Sequence, residues 1–213
     1  MQSQTTTAAP APSVRGGLTA AAAICAITLL IAIFEPSMAD WPSGVVEMLL
    51  LPLAALVFIG CTVWSLTQLL RVGHDGARFA SPFLVCAATL ALMTYAPLED
   101  FYLQYDFHWR RTNREAIVAR VERGELKPNV GNSANLIALD DAGPYVSLGN
   151  DIVVDEADEG TYVLFLTRRG PKHTFSGFLY VPSGADPTRF FEFEDRPPSR
   201  LVAYGTGWYF VAN

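Results

Sequence analysis

Glu47 is an ionisable side chain inside an apolar run, Val45 to Leu70, five residues ahead of Pro52. A carboxyl placed there can hold a proton or a cation, so such a residue is a functional candidate by default. It lies within a turn or so of the end of the run, where it can reach headgroup water. No Lys or Arg sits inside an apolar run to pair with it. A boundary role is therefore the simpler expectation, and Pro52, which lacks an amide hydrogen, is expected to kink the helix that carries both.

The second acidic candidate is Asp155, Glu156, Asp158 and Glu159, closed by Gly160. Clustered carboxylates can hold calcium, but the alternating ligand positions of a calcium loop are missing, and a solvated hairpin tip is expected. An acid and base pair could be drawn from that cluster or from Glu192, Glu194 and Asp195, provided two carboxyls converge in a cleft with their pKa values pushed apart. Ser176 and His173 are the nearest approach to a nucleophile with its base, yet a spacing of three on a strand turns them to opposite faces. His74, His108 and His173 show no metal-ligand spacing. Gly205-Thr-Gly207 lacks the following helix that phosphate binding needs. Arg168, Arg169 and Lys172 form a basic turn able to meet anionic headgroups or an acidic partner. No catalytic residue, cofactor or metal is expected from these motifs.

The elements that would position these groups divide the chain sharply. Three apolar runs, Gly17 to Phe34, Val45 to Leu70 and Ala80 to Leu98, fill its first half. Each is near or above the ~18 residues needed to cross hydrocarbon. Residues 1–16 read as a disordered tail and 17–98 as a three-helix transmembrane unit. Charge is divided in the same way. Arg15, Arg71 and Arg78 are the only basic residues before position 98, and the remainder carries seventeen acids against twelve bases, a net −5. That balance excludes a binder of nucleic-acid backbones, which requires a basic face.

The loop between the first two runs has two acids and no base, whereas Arg71-Val-Gly-His-Asp-Gly-Ala-Arg78 has two arginines. Short basic loops stay cytoplasmic. With Arg15 ahead of the first run, this predicts an internal N-terminus and, after three crossings, an external C-terminal domain. Arg110, Arg111 and Arg114 form a basic patch that argues weakly the other way, because long domains translocate largely regardless of charge. Ser37-Met38-Ala39 before Asp40 has the form of a signal cleavage site, but the run before it exceeds the ~7 to 15 residues of a signal core, so an anchor is expected. Ala22 and Ala26, with Ala87 and Ala91, have the small-xxx-small spacing of a packing seam. Cys25, Cys61 and Cys86, one per run, read as small apolar helix residues.

Residues 99–124 read as an aromatic juxtamembrane segment and a linking helix. Five aromatics between Phe101 and Trp109 form a boundary belt. Ile117, Val118 and Val121 then take helical spacing, and Gly124 marks the stop. Residues 125–213 read as a small β-rich soluble domain, in which the β-formers accumulate from Asn135 onward. Strands are expected at Asn135 to Leu139, Tyr145 to Leu148, Ile152 to Asp155, Thr161 to Thr167, His173 to Val181, Arg200 to Tyr204 and Trp208 to Ala212. Gly177 would mark a bulge or a close backbone approach, and Asp186 to Pro198 a long connection. The fold class is thus a transmembrane α-helical unit followed by a small α+β domain with a mainly antiparallel sheet.

This organisation points to a multi-pass protein of a bacterial inner membrane, with the lipid bilayer and a protein of the membrane or envelope as its partners. Its periplasmic domain would work by binding, sensing or assisting a membrane complex. An envelope enzyme using the carboxylates above, and a small transporter or channel subunit turning on Glu47, are the rival readings.

Overall fold

The computed structural model describes residues 14–38, 44–70, 72, 76–131, 133–140, 143–170, 174–193 and 197–213. The expected N-terminal tail up to residue 13, the cleavage-site residues Ala39 and Asp40, and Arg71, His74, Lys172, His173, Glu194 and Asp195 lie outside this set. The chain forms two compact units.

The first unit holds three apolar helices: α1 (Val14–Met38), α2 (Gly44–Leu69) and α3 (Ser81–Tyr95), the last preceded by a 3-10 turn at Ala77–Ala80. Over Gly16–Phe34, Leu49–Leu69 and Ala77–Tyr95 they are long and apolar enough to cross a membrane. α2 runs through Pro52 without a break. Their hydroxyls are satisfied within each helix, as where Thr28 donates to the Ile24 carbonyl at 2.9 Å and Thr89 to that of Val85 at 2.9 Å. This is what a segment without water requires.

The packing seam runs through Ala21, Cys25 and Thr28 of α1, Cys61 and Ser65 of α2, and Pro82, Cys86 and Thr89 of α3. The expected pairs Ala22/Ala26 and Ala87/Ala91 are exposed instead. The seam lies one residue to the N-terminal side in α1, because a helix rotates 100° per residue and alanine is common on every face. All three cysteines are buried, with the Cys86 sulfur 3.9 Å from both the Cys25 and the Cys61 sulfur.

The third run ends earlier than its hydropathy implies. Ala96 precedes a proline, which disfavours helical backbone, and it takes φ −80°, ψ 140°. α4 (Leu98–Glu122) then begins at once, so the aromatic segment and the linking helix are one continuous element. Glu99 and Asp100 occupy its first turn, where acids suit the helix dipole. It closes where the Gly124 and Glu125 amides reach the Val121 and Arg120 carbonyls.

In the second unit α4 accompanies a six-stranded antiparallel sheet ordered β1-β2-β3-β4-β6-β5. The strands are β1 (Leu136–Ala138), β2 (Asp151–Ala157), β3 (Gly160–Arg169), β4 (Phe175–Tyr180), β5 (Arg200–Gly205) and β6 (Trp208–Ala212). One face meets α4, through Phe107 against Phe178 and Trp208 with ring centres 5.2 and 5.7 Å apart. The other is a core of Leu136, Val153, Leu164, Leu166, Leu179 and Val211, closed by Phe190 and Phe193. Those two rings come from the connection between β4 and β5, which is built of 3-10 turns at Pro187–Arg189 and Phe191–Phe193. With both faces covered, β3 is buried without interruption from Tyr162 to Leu166.

Gly177 is a close approach: a Cβ there would lie 2.3 Å from the Phe165 carbonyl oxygen. Tyr145 to Leu148 is not a strand. Gly149 and Asn150 adopt positive φ, 64° and 57°, which turns the chain before it can pair. Side chains then serve this segment's backbone. Asn150 Oδ1 accepts from the Val146 amide at 3.4 Å, and the Arg114 guanidinium donates to the Val146 carbonyl at 3.0 Å.

Candidate functional site

Asp106, Arg110 and Arg114 stand on one ridge of α4, four residues apart. Arg114 is fully buried, its Nη2 2.6 Å from Asp106 Oδ2, while the partly buried Arg110 holds Asp106 Oδ1 through Nη1 at 3.0 Å. The Arg114 guanidinium lies 4.7 Å from the centre of the Phe178 ring, and its Nη1 has no hydrogen-bond partner. Burial pushes its pKa down, and the Asp106 carboxylate opposes that. Arg114 therefore does not belong to an exposed basic patch with Arg110 and Arg111; it fastens α4 and the Val146 segment to the sheet.

The two edges of the sheet differ. The Asn129 side chain clamps β1, donating to the Ala138 carbonyl at 2.9 Å and accepting from the Ala138 amide at 2.8 Å, while the Asn129 amide reaches the Leu136 carbonyl at 3.3 Å. This segment occupies the place of a further strand and closes that edge. Among the described residues β5 has no such clamp: it is the last strand of the sheet, paired with β6 alone. Leu201 and Val202 are 38 % and 39 % exposed and Ala203 is exposed as well.

The one charge on β5 is turned toward α4. Arg200 is paired to Asp100 and lies 3.8 Å from Glu99, both in the first turn of α4, and its guanidinium is 5.1 Å from the Phe210 ring centre. Asp100 pushes the Arg200 pKa up. Leu201 to Gly205 carry no charge, and among the described residues no strand pairs with the outer side of β5. An open edge of this kind is a template for another strand.

Beside the start of β5 lies a cavity of about 320 Å³ lined by Glu99, Arg168, Ser176, Ser199, Arg200 and Asn213 among others. It offers guanidinium and hydroxyl donors balanced by a carboxylate. Ser176 spends its hydroxyl on Thr167, 3.0 Å away. A smaller cavity of about 180 Å³ is lined by Leu164, Leu166, Arg169, Phe175 and Glu192.

The carboxylates proposed from sequence are dispersed. Asp155 accepts the Phe191 amide at 3.0 Å and so pins the connection that closes the lower core, while Glu159 is paired with Arg189. Glu156 and Asp158 are exposed at the hairpin. Among the described residues, no group of three or more His, Cys, Asp or Glu is placed to hold a metal. The backbone of Glu47 is helical, in the first turn of α2, and its side chain lies outside the described set. Asp186, absent from the sequence candidates, caps the turn at Pro187–Arg189; the Thr188 amide and hydroxyl hold its pKa below the usual carboxylate range. Asp-Pro ahead of a short turn was the signal for it.

No family model matches this chain, and no curated protein or solved structure similar to it was found.

Proposed function

We propose that this chain is a multi-pass protein of a bacterial inner membrane whose C-terminal domain lies in the periplasm. There it binds an extended segment of a protein partner along β5, as a sensor or accessory of a membrane complex. The sequence supports the orientation through the arginines at 15, 71 and 78 and the acidic first loop. One structural observation carries the binding role: β1 is closed by Asn129, whereas β5, equally an edge, presents three consecutive uncharged exposed residues. Main-chain hydrogen bonds would supply affinity, and Leu201 and Val202, on opposite faces, would supply specificity.

The orientation is tested by fusing alkaline phosphatase and, separately, green fluorescent protein after Asn213. Phosphatase activity without fluorescence is expected, and the reverse pattern overturns the periplasmic placement. The edge is tested in the full chain with a photo-crosslinking amino acid in place of Leu201, compared with the same chain carrying Ala203→Lys. A charge on an edge strand blocks further pairing without touching the core. A specific adduct reduced at least about tenfold by the added lysine is expected, the equivalent of ~1.4 kcal/mol. An adduct unaffected by the lysine removes β5 as the site, and an adduct of twice the chain's own mass makes a second copy the occupant.

A further inference from the structure

The five aromatics of the belt face two ways. Tyr102 and Phe107 are buried, Phe107 against the sheet, whereas Phe101, Tyr105 and Trp109 are 62 %, 53 % and 73 % exposed. The exposed three are spaced by four residues and so form one ridge along the outer side of α4, and the Tyr105 and Trp109 rings stack with centres 6.1 Å apart. From Phe101 to Trp109 the ridge is about 12 Å long. Single exposed rings are ordinary on a soluble surface, but a contiguous row of three marks a surface that something covers.

Residue type, chain position and charge point to the same occupant. Phe, Tyr and Trp concentrate where hydrocarbon meets water. α4 starts at Leu98, three residues after α3 ends at Tyr95, so the chain enters this helix directly from a segment apolar enough to cross a membrane. Among the described residues the ridge has no unpaired cation beside it: Arg110 is paired with Asp106 at 3.0 Å and Arg111 with Glu115 at 2.7 Å, and the part of the chain beyond residue 98 is net acidic. Attraction to anionic lipid is therefore not what holds it.

We propose that Phe101, Tyr105 and Trp109 seat in the headgroup region of the bilayer, irrespective of lipid charge, and lay α4 along the membrane surface. The same helix keeps Phe107 and Arg114 on the sheet, so the docking face fixes which side of the domain looks away from the membrane. This inference does not depend on what β5 binds.

An upright α4 would lift Trp109 about 12 Å further from the bilayer than Phe101, at 1.5 Å per residue, whereas a helix lying flat puts all three at one depth. The full chain, with Cys25, Cys61 and Cys86 replaced by alanine, is reconstituted in phosphatidylcholine nanodiscs and spin-labelled singly at Phe101→Cys, Tyr105→Cys or Trp109→Cys. Asp158→Cys, in an exposed turn, serves as the aqueous reference. Accessibility to oxygen against a water-soluble nickel chelate should give one shallow depth for the three labels and an aqueous value for the reference. A steady gradient that leaves the Trp109 label in water overturns the proposal, as does spin–spin coupling between two copies in one disc, which would make the ridge a seam between chains. If the cysteine-free chain does not fold, the native chain answers instead. Emission lost on Trp109→Phe should be quenched at least about twofold by brominated phosphatidylcholine, and no quenching of that component overturns the proposal.

Discussion

Asp106 and Arg114 are the only buried charged side chains among the described residues, and they meet each other. Taking two charges out of water costs several kcal/mol each, and close pairing repays that only while both partners remain. Asp106→Asn leaves the Arg114 guanidinium buried between Phe178 and Phe165 with no carboxylate to balance it. A loss of about 3–5 kcal/mol is expected, read as a lowered urea midpoint of the aromatic near-ultraviolet signal. The double variant Asp106→Leu with Arg114→Met should recover a large part of it, because an apolar pair of similar volume removes the stranded charge. A mild effect of Asp106→Asn beside a severe one in the double variant would mean that the bond to the Val146 carbonyl, which only the double variant loses, is what matters and not the ion pair. The signal for this pair was present in the sequence as the 106, 110, 114 spacing on the ridge that also carries Phe107. Three nearby arginines look alike in a charge count, and only the helix face separates Arg114 from Arg111.

Gly177 ties sequence to element more tightly than any other strand residue. Replacing a strand glycine by alanine ordinarily gains roughly 0.5–1 kcal/mol, because the unfolded chain has less freedom to lose. At Gly177 the new methyl would lie 2.3 Å from a backbone carbonyl, which cannot move without breaking the β3–β4 register. Gly177→Ala should therefore destabilise the domain by about 1–3 kcal/mol, while Gly205→Ala, with nothing within 4 Å, should be neutral or slightly stabilising. Thermal unfolding of the two variants side by side decides the sign. That glycine was legible because it interrupts a run of strand formers. Six strands were legible for the same reason, since β-formers bounded by turn residues report local structure. Tyr145 to Leu148 has the same composition yet forms no strand, because two left-handed residues follow it and a distant arginine takes its carbonyl. The role of Phe190 and Phe193 was hidden likewise: nothing local says that a proline-rich connection will close the second face of the sheet. The difference between the β1 and β5 edges depends on Asn129, seven residues before its strand, and no periodicity reports that.

The chain as a whole is divided by hydropathy and charge near residue 98, and one boundary between its two compact units falls between Leu98 and Glu99. What composition does not give is how the three apolar helices turn toward one another. Alanine spacing favoured one face of α1, and packing selected its neighbour, the one carrying Cys25. Cys86 of α3 is the common neighbour in that seam, 3.9 Å from Cys25 and from Cys61. Thiols at that separation are in contact but unbonded, since a disulfide needs about 2.05 Å between sulfurs. Mild oxidation of the full chain in membranes should thus produce a single disulfide, joining α3 to α1 or to α2, and leave one thiol open to alkylation after unfolding. Cys86→Ala should abolish both links, whereas Cys25→Ala should leave the α2 to α3 link intact. Protease-cut fragments that stay together only under non-reducing conditions give the readout. Cross-linking of α3 that survives Cys86→Ala is impossible by cysteine chemistry, so the informative failure is elsewhere: if the wild-type chain keeps three free thiols under oxidation, the seam does not bring these helices together at their cysteines. A positive result would fix the rotation of all three helices from two contacts 25 and 61 residues apart in sequence.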